Sequence, residues 1–249
     1  MSGHSKWHSI KHKKGAADAK RGKIFTKHGH LVAIAARSGG DPDTNAGLRL
    51  AIENAKKENV PNANIEKAIK RGTGELKDGV EISEVTYEGY GPGGTAVIVE
   101  CLTDNKNRTF TNVRTIFGKK GGNLGNSGSV AWMFDKKGVL VFKLNGVDVE
   151  HLELAAIDAN AEDMEQEQDM FTVYTFPTEL NLVKEKMRAA GFEPETAELR
   201  LIPNQMVNVE DEATAKKILE FMDALDDDPD VSEVASNFDI SDELMAKIS

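Results

Sequence analysis

Eight cations and an indole crowd the first 27 residues. Lys6, Lys11, Lys13, Lys14, Lys20, Arg21, Lys23 and Lys27 stand there against one acid, Asp18, with Trp7 among them. Lysines so spaced meet successive phosphates and release counterions, and an indole stacks on any base. The expected partner is nucleic acid, DNA or RNA. No Arg pair or Asn/Gln set sits on an identifiable recognition helix, so the expected contact does not read bases. His4, His8 and His12 stand at i, i+4 and i+8, the spacing that lets a helix ligate a metal. Glycine and serines oppose a helix there, no thiol or carboxylate completes the set, and the lysines repel a cation. Hydrogen bonding to phosphate or ribose, strengthening as pH falls, is the expected role. No metal and no other cofactor is expected.

A second candidate surface lies further on. The run Gly118-Lys-Lys-Gly-Gly-Asn-Leu-Gly-Asn-Ser-Gly-Ser129 carries two lysines among glycines and small polar residues. Such a backbone can come close to a phosphate chain. Lys119 and Lys120, with Arg108 and Arg114 on the preceding segment, form that candidate. The other glycine run, Gly89–Gly94, lacks the Lys-Ser/Thr ending of a phosphate-binding loop and reads as a turn between strands. Nothing resembles a catalytic constellation. Carboxylates of the rear half spread along solvated faces, His151 stands alone, and serines lack the Gly-x-Ser-x-Gly context. Neither an enzyme nor a small-molecule substrate is expected.

Charge divides the chain. Residues 1–77 carry a net charge of +9 and residues 78–249 a net charge of −19, for a total of −10. The front is expected to meet a polyanion and the rear to stay soluble and repel it. The single Cys101 excludes an internal disulfide, and no apolar run reaches the ~18 residues of a membrane span. The charged start has no apolar core, and its lysine-rich composition argues against an organelle transit peptide. A cytoplasmic protein with no membrane partner is expected.

Helical spacing begins at Ala16, after a stretch of 15 residues whose lack of periodicity predicts disorder. Ile24, His28, Leu31 and Ala35 predict one helix face. A second helix, capped by Asp43 or Thr44, turns Leu48, Ile52 and Ala55 inward; a third places Ile65, Ala68 and Ile69 inward and stops at Gly72. Strands are expected at 85–87, 95–102, 129–134, 138–142, 161–167, 170–176, 195–202, 206–209 and 231–237. Helices are expected at 105–117, with Phe110, Val113 and Phe117 inward, and at 149–159, 178–190 and 213–225. Segment 136–204 has the β-α-β-β-α-β order of a ferredoxin-like unit. The βαβ pieces on either side are expected to complete a second such unit around it. The fold expected is thus α+β: an N-terminal three-helix domain followed by two ferredoxin-like α/β domains, one inserted in the other. The boundaries are 1–77 for the basic helical domain with its arm, 78–135 plus 205–240 for the discontinuous domain, 136–204 for the insert and 241–249 for a tail.

Several stretches together resemble a known family. Gly3-His-Ser-Lys-Trp7, Ile10-Lys-His-Lys-Lys14, Asp18–Lys27, Ile65–Glu75, Tyr87-Glu-Gly-Tyr-Gly-Pro-Gly-Gly94, Leu102–Thr109, Gly121-Gly-Asn-Leu-Gly125 and Asn237-Phe-Asp-Ile240 look like the YebC/PmpR family. The resemblance runs over nearly the whole chain. It implies three domains and a cytoplasmic, DNA-binding regulator of transcription. Relatives also include a mitochondrial translational activator and ribosome-associated factors that relieve stalling, which implies ribosomal RNA, tRNA or the ribosome as the alternative partner. One departure is visible: Ala46-Gly47 stands where members often carry Pro-Arg, removing a positive charge at the second helix. A third reading, outside the resemblance, is a protein-interaction module whose basic arm docks an acidic partner.

Overall fold

Small and branched apolar residues at helical spacing build the front of the chain. The computed structural model describes residues 18–76, 81–167 and 169–248, with the backbone alone at 18–21 and at Asp242. Eight helices and ten strands lie among the described residues, in an α+β arrangement with antiparallel sheets. The contacts divide the chain into two compact units, 1–134 with 203–249, and 135–202. Residues 1–17, and with them most of the expected arm, lie outside the described residues.

In the first unit, helices α1 (Asp18–Ala36), α2 (Ala46–Lys57) and α3 (Asn62–Gly72) pack around Val32, Ala33, Ala36, Leu48, Ala55, Val60, Ile65 and Ala68. The inward face of α1 is Phe25, Val32, Ala33 and Ala36, not the predicted Ile24, His28, Leu31 and Ala35; of these only Ala35 packs at its edge. Small residues account for the rotation. A Cβ on Gly72 would stand 2.1 Å from the Ala33 carbonyl oxygen and 2.6 Å from the Ala36 Cβ, so Gly72 lets α3 lie directly on α1. Asn45, not Asp43 or Thr44, caps α2. Its Oδ1 accepts from the Leu48 amide at 3.0 Å, and its Nδ2 donates to the carbonyls of Ala35 and Gly39, both at 2.8 Å. One side chain thus closes α1 and opens α2.

The sheet of this unit runs β3-β1-β2-β9, from β1 (Ser83–Tyr90), β2 (Ala96–Thr103), β3 (Asn123–Leu124) and β9 (Val231–Ser236). Tyr87 pairs with Val99 and Gly89 with Val97, which fixes the face that α4 (Lys106–Lys119) and α7 (Glu212–Asp226) cover. Val97, Val99 and Cys101 meet Val113, Phe117, Ile218, Phe221 and Met222 there, with the Phe117 and Phe221 rings edge to face at 4.9 Å. The inward position of α4 predicted at Phe110 is taken by Thr109, and Phe110 is exposed.

This sheet is not the second βαβ-βαβ unit expected. Residues 129–133 form no strand, and Phe134 opens the next one; Ala131–Met133 is a 3-10 turn, because a side chain described below takes the amides on its N-terminal side. The strand β8 (Val207–Val209) pairs in parallel with β10 (Phe238–Ile240) instead of joining the main sheet. The run 231–237 breaks at Asn237, whose Oδ1 accepts from the Ala96 amide at 2.7 Å. The tail from 241 holds a further helix, α8 (Asp242–Ile248), which buries Leu244 and Met245.

The second unit follows the predicted element order: β4 (Phe134–Lys143), α5 (Val149–Asp158), β5 (Asp163–Glu167), β6 (Met170–Thr175), α6 (Leu180–Ala189) and β7 (Thr196–Pro203), with strands ordered β5-β6-β4-β7. Period-two burial along β6 hides Phe171, Val173 and Thr175. Gly138 is required in β4: a Cβ there would fall 2.3 Å from the Thr175 hydroxyl and 2.9 Å from the Leu180 Cβ.

Candidate nucleic-acid interface

Of the nine residues predicted for the primary contact, Lys6, Trp7, Lys11, Lys13 and Lys14 lie outside the described residues. Lys20 and Arg21 sit in the first turns of α1, described by backbone alone. Lys23 and Lys27 follow, half-buried. Lys20, Lys23 and Lys27 recur at i, i+3 and i+7, so the helical register puts them on one side of α1.

The same helix is fastened to the α/β part at its other end. The Arg37 guanidinium donates to the Ile82 carbonyl at the entrance to β1. His30 hydrogen-bonds the Leu102 backbone, with Arg71, Asp104 and Asp230 in its field. Burial lowers its pKa and Arg71 pushes the same way; the Leu102 bond and the two aspartates oppose without reversing the shift. His30 is therefore a neutral, half-buried fastening at pH 7.

The secondary candidates have other employment. The Arg108 Nε and Nη2 fork onto Asp230 at 3.1 and 2.7 Å, and Nη2 also meets Asp104 at 2.9 Å. Asp230 is buried and additionally accepts from the Thr109 hydroxyl at 2.8 Å, while Asp228 accepts from Asn112 at 3.0 Å. Arg108 thus closes a buried carboxylate and joins α4 to the approach to β9. Lys120 pairs with Glu220 at 3.2 Å. Arg114 lies 6.0 Å from the Phe110 ring centre, and Lys119 is exposed.

The glycine-rich loop is likewise occupied from within. Glu88 is buried and points both carboxylate oxygens at it: Oε1 accepts from the Gly128 amide at 2.7 Å, and Oε2 from Val130 at 3.0 Å and Ala131 at 2.8 Å. Burial pushes its pKa up, but the three amide bonds outweigh that and hold it below the usual carboxylate range. These amides, Gly128 at the end of the loop and two just beyond it, hold an internal anion. The glycines serve close packing; a Cβ on Gly89 would fall 2.5 Å from the Asn123 carbonyl oxygen. Glu88 and Asp230 were missed as organising residues. The signal for Glu88 was a charged residue within an otherwise strand-like, glycine-flanked run.

Catalytic and metal chemistry find no constellation among the described residues. No group of three or more His, Cys, Asp or Glu side chains converges there. The Cys101 thiol is pushed up to about 12, by burial first and then by Asp228, Asp230 and Glu100. His151 is exposed near Asp148 at 3.9 Å. No described helix is long and apolar enough to cross a membrane.

Comparison with known proteins supplies the remaining observation. A "Probable transcriptional regulatory protein" of Geotalea uraniireducens is 54% identical over 249 residues, covering 100% of both chains. One of the same description from Halothermothrix orenii is 50% identical over 252 residues, covering 100% of this chain and 99% of its own. The crystal structure of the conserved hypothetical protein Aq1575 of Aquifex aeolicus superposes with a TM-score of 0.84 at 44% identity, covering 90% of this chain and 93% of that one. The descriptions "TACO1/YebC protein N-terminal domain" and "TACO1/YebC second and third domain" match residues 5–75 and 82–238, so the chain belongs to the TACO1/YebC family.

Proposed function

We propose that this chain is a non-enzymatic, nucleic-acid-binding regulator of gene expression in the cytoplasm, acting as a DNA-binding regulator of transcription. The carrying observation is the division of α1: its N-terminal half and the residues before it hold eight cations, while its C-terminal half is fastened to an acidic body through His30 and Arg37. A grip so mounted is oriented by the rest of the fold. The names of the relatives support regulation of transcription. The reading takes 1–77 as the gripping part, 78–135 with 205–240 as its support, and 136–204 as a ferredoxin-like insert that meets other partners. Lys6, Trp7, Lys11, Lys13, Lys14, Lys20, Arg21, Lys23 and Lys27 make the contact.

A second reading is a translation factor that binds ribosomal RNA or tRNA. It draws on two rings exposed beside the glycine-rich loop, which suit unpaired bases better than a duplex. Cross-linking in cells, followed by sequencing of the bound nucleic acid, separates the two. Enrichment of chromosomal DNA supports transcription; enrichment of ribosomal RNA or tRNA supports translation. In vitro, a flat salt response for duplex DNA and ribosomes alike would leave a protein-docking module as the better account.

A further inference from the structure

Trp132 is 66% exposed and Tyr90 38% exposed, in a protein with only two tryptophans and three tyrosines. Tryptophan is usually well buried, so a ring held in water needs a reason. Both rings are tied by their polar ends to one atom. The Trp132 Nε1 donates to the Ser129 carbonyl at 3.2 Å, and the Tyr90 hydroxyl donates to the same oxygen at 3.4 Å. Their polar tips therefore lie within two hydrogen-bond lengths of each other, and accessible ring surface remains on each residue.

The mount beneath them is rigid. Trp132 stands in the 3-10 turn Ala131–Met133, between the buried side chains of Val130 and Phe134. Glu88 holds the amides of Val130 and Ala131, and the Asn204 amide donates to the Met133 carbonyl at 2.8 Å. Tyr90 ends β1 in register with Asn123 of β3. Little conformational entropy is lost when a ligand settles on rings already fixed. The sequence around them carries little negative charge to repel an anion-bearing ligand. Residues 118–132 contain two lysines and no Asp or Glu, within a rear part of net charge −19. Glu88, two residues before Tyr90 in β1, has both oxygens committed to backbone amides.

We infer that Trp132 and Tyr90 form a stacking platform for an unpaired nucleobase, separate from the phosphate grip of the N-terminal cations. The inference rests on the nucleic-acid reading above and adds a site to it. Stacking on a fixed aromatic surface needs unpaired, splayed bases, so single-stranded RNA or DNA is the ligand class and an intact duplex is not.

The test uses the full chain and fluorescently labelled 12-nucleotide single strands of RNA and DNA, each with an abasic counterpart of equal phosphate number. Trp132→Ala should weaken binding of the base-bearing strands roughly 5- to 100-fold, leave abasic-strand binding unchanged and leave the log–log salt slope intact. Trp132→Phe should recover most of the loss. In Trp7→Phe, where Trp132 is the sole indole, base-bearing strands should quench its emission and abasic strands should not. RNA and DNA arms of similar strength assign the site to the base; a preference for one assigns it to the sugar as well. Unaltered base-bearing strand affinity in Trp132→Ala, with the salt slope retained, overturns the platform and leaves the cationic grip standing. Failure of the wild-type chain to bind any strand overturns both.

Discussion

Two stretches of this protein are rich in cations and glycine, and they use them in opposite ways. On α4 and the loop after it, the positive groups close on the protein itself: Arg108 on Asp230, Lys120 on Glu220, and the loop amides on Glu88. On α1, the fastening comes from His30 and Arg37 towards the C-terminal end, and the cluster of cations lies on the other half and before it. Cation density alone does not distinguish a ligand site from a structural one. What distinguishes them is whether a buried carboxylate stands within reach, since such a carboxylate is costly unless paired.

The largest expected effect tests the structural half. Asp230→Ala strands Arg108 and Thr109 at once and should lower the unfolding free energy by about 2–4 kcal/mol in urea titration. Arg108→Ala should show most of the same loss while leaving nucleic-acid affinity per folded molecule unchanged. If it instead weakened binding with stability intact, α4 would belong with α1. Glu88→Ala comes next, with an expected loss of about 1–3 kcal/mol from three stranded amides.

Glu88 also gives a pH signature. Its pKa is lower in the folded state than in the unfolded chain. The stability it contributes is therefore full above the ordinary carboxylate value and lost as pH falls through the folded one. Glu88→Gln should flatten that acid limb in denaturant midpoints between pH 6 and 3. His30 carries the opposite chemistry with the same slope. Its folded pKa is depressed, so stability is full above its unfolded value of about 6.5 and declines as pH falls from there towards the folded value. His30→Asn should be less stable at pH 7 and lose less between pH 7 and pH 5. The smallest effect expected is that of Lys119→Ala, within about 0.5 kcal/mol of wild type, since the side chain is exposed in the last turn of α4.

Much of this is legible in the sequence. The second unit followed its predicted element order because its strands alternate with period two, as at Phe171, Val173 and Thr175. The third helix kept its predicted inward set of Ile65, Ala68 and Ile69. Errors arose where small residues set the geometry. Ala33 and Ala36 carry little hydrophobic weight, yet Gly72 packs on them and turns α1 about its axis. They arose again where a distant side chain took over backbone groups. Residues 129–134 are β-branched and aromatic enough to read as a strand, but Glu88, some forty positions earlier, claims their amides. No local pattern announces a partner so far away. The same holds for Arg108, whose carboxylate partner Asp230 lies 122 residues on.

The central claim is that the N-terminal cations, and not those of α4 and its loop, grip the phosphate backbone. The direct measurement is the salt dependence of duplex and ribosomal RNA binding by the full chain, with Lys6, Lys11, Lys13, Lys14 and Lys20 replaced together by Gln. With about five phosphate contacts the unsubstituted chain should show a log–log slope near −4 to −5 on duplex DNA, and the substituted chain a much shallower slope, set by the remaining Arg21, Lys23 and Lys27, at unchanged stability. An unchanged slope in that variant, with the slope falling instead on substitution of Lys119 and Lys120, would contradict the account.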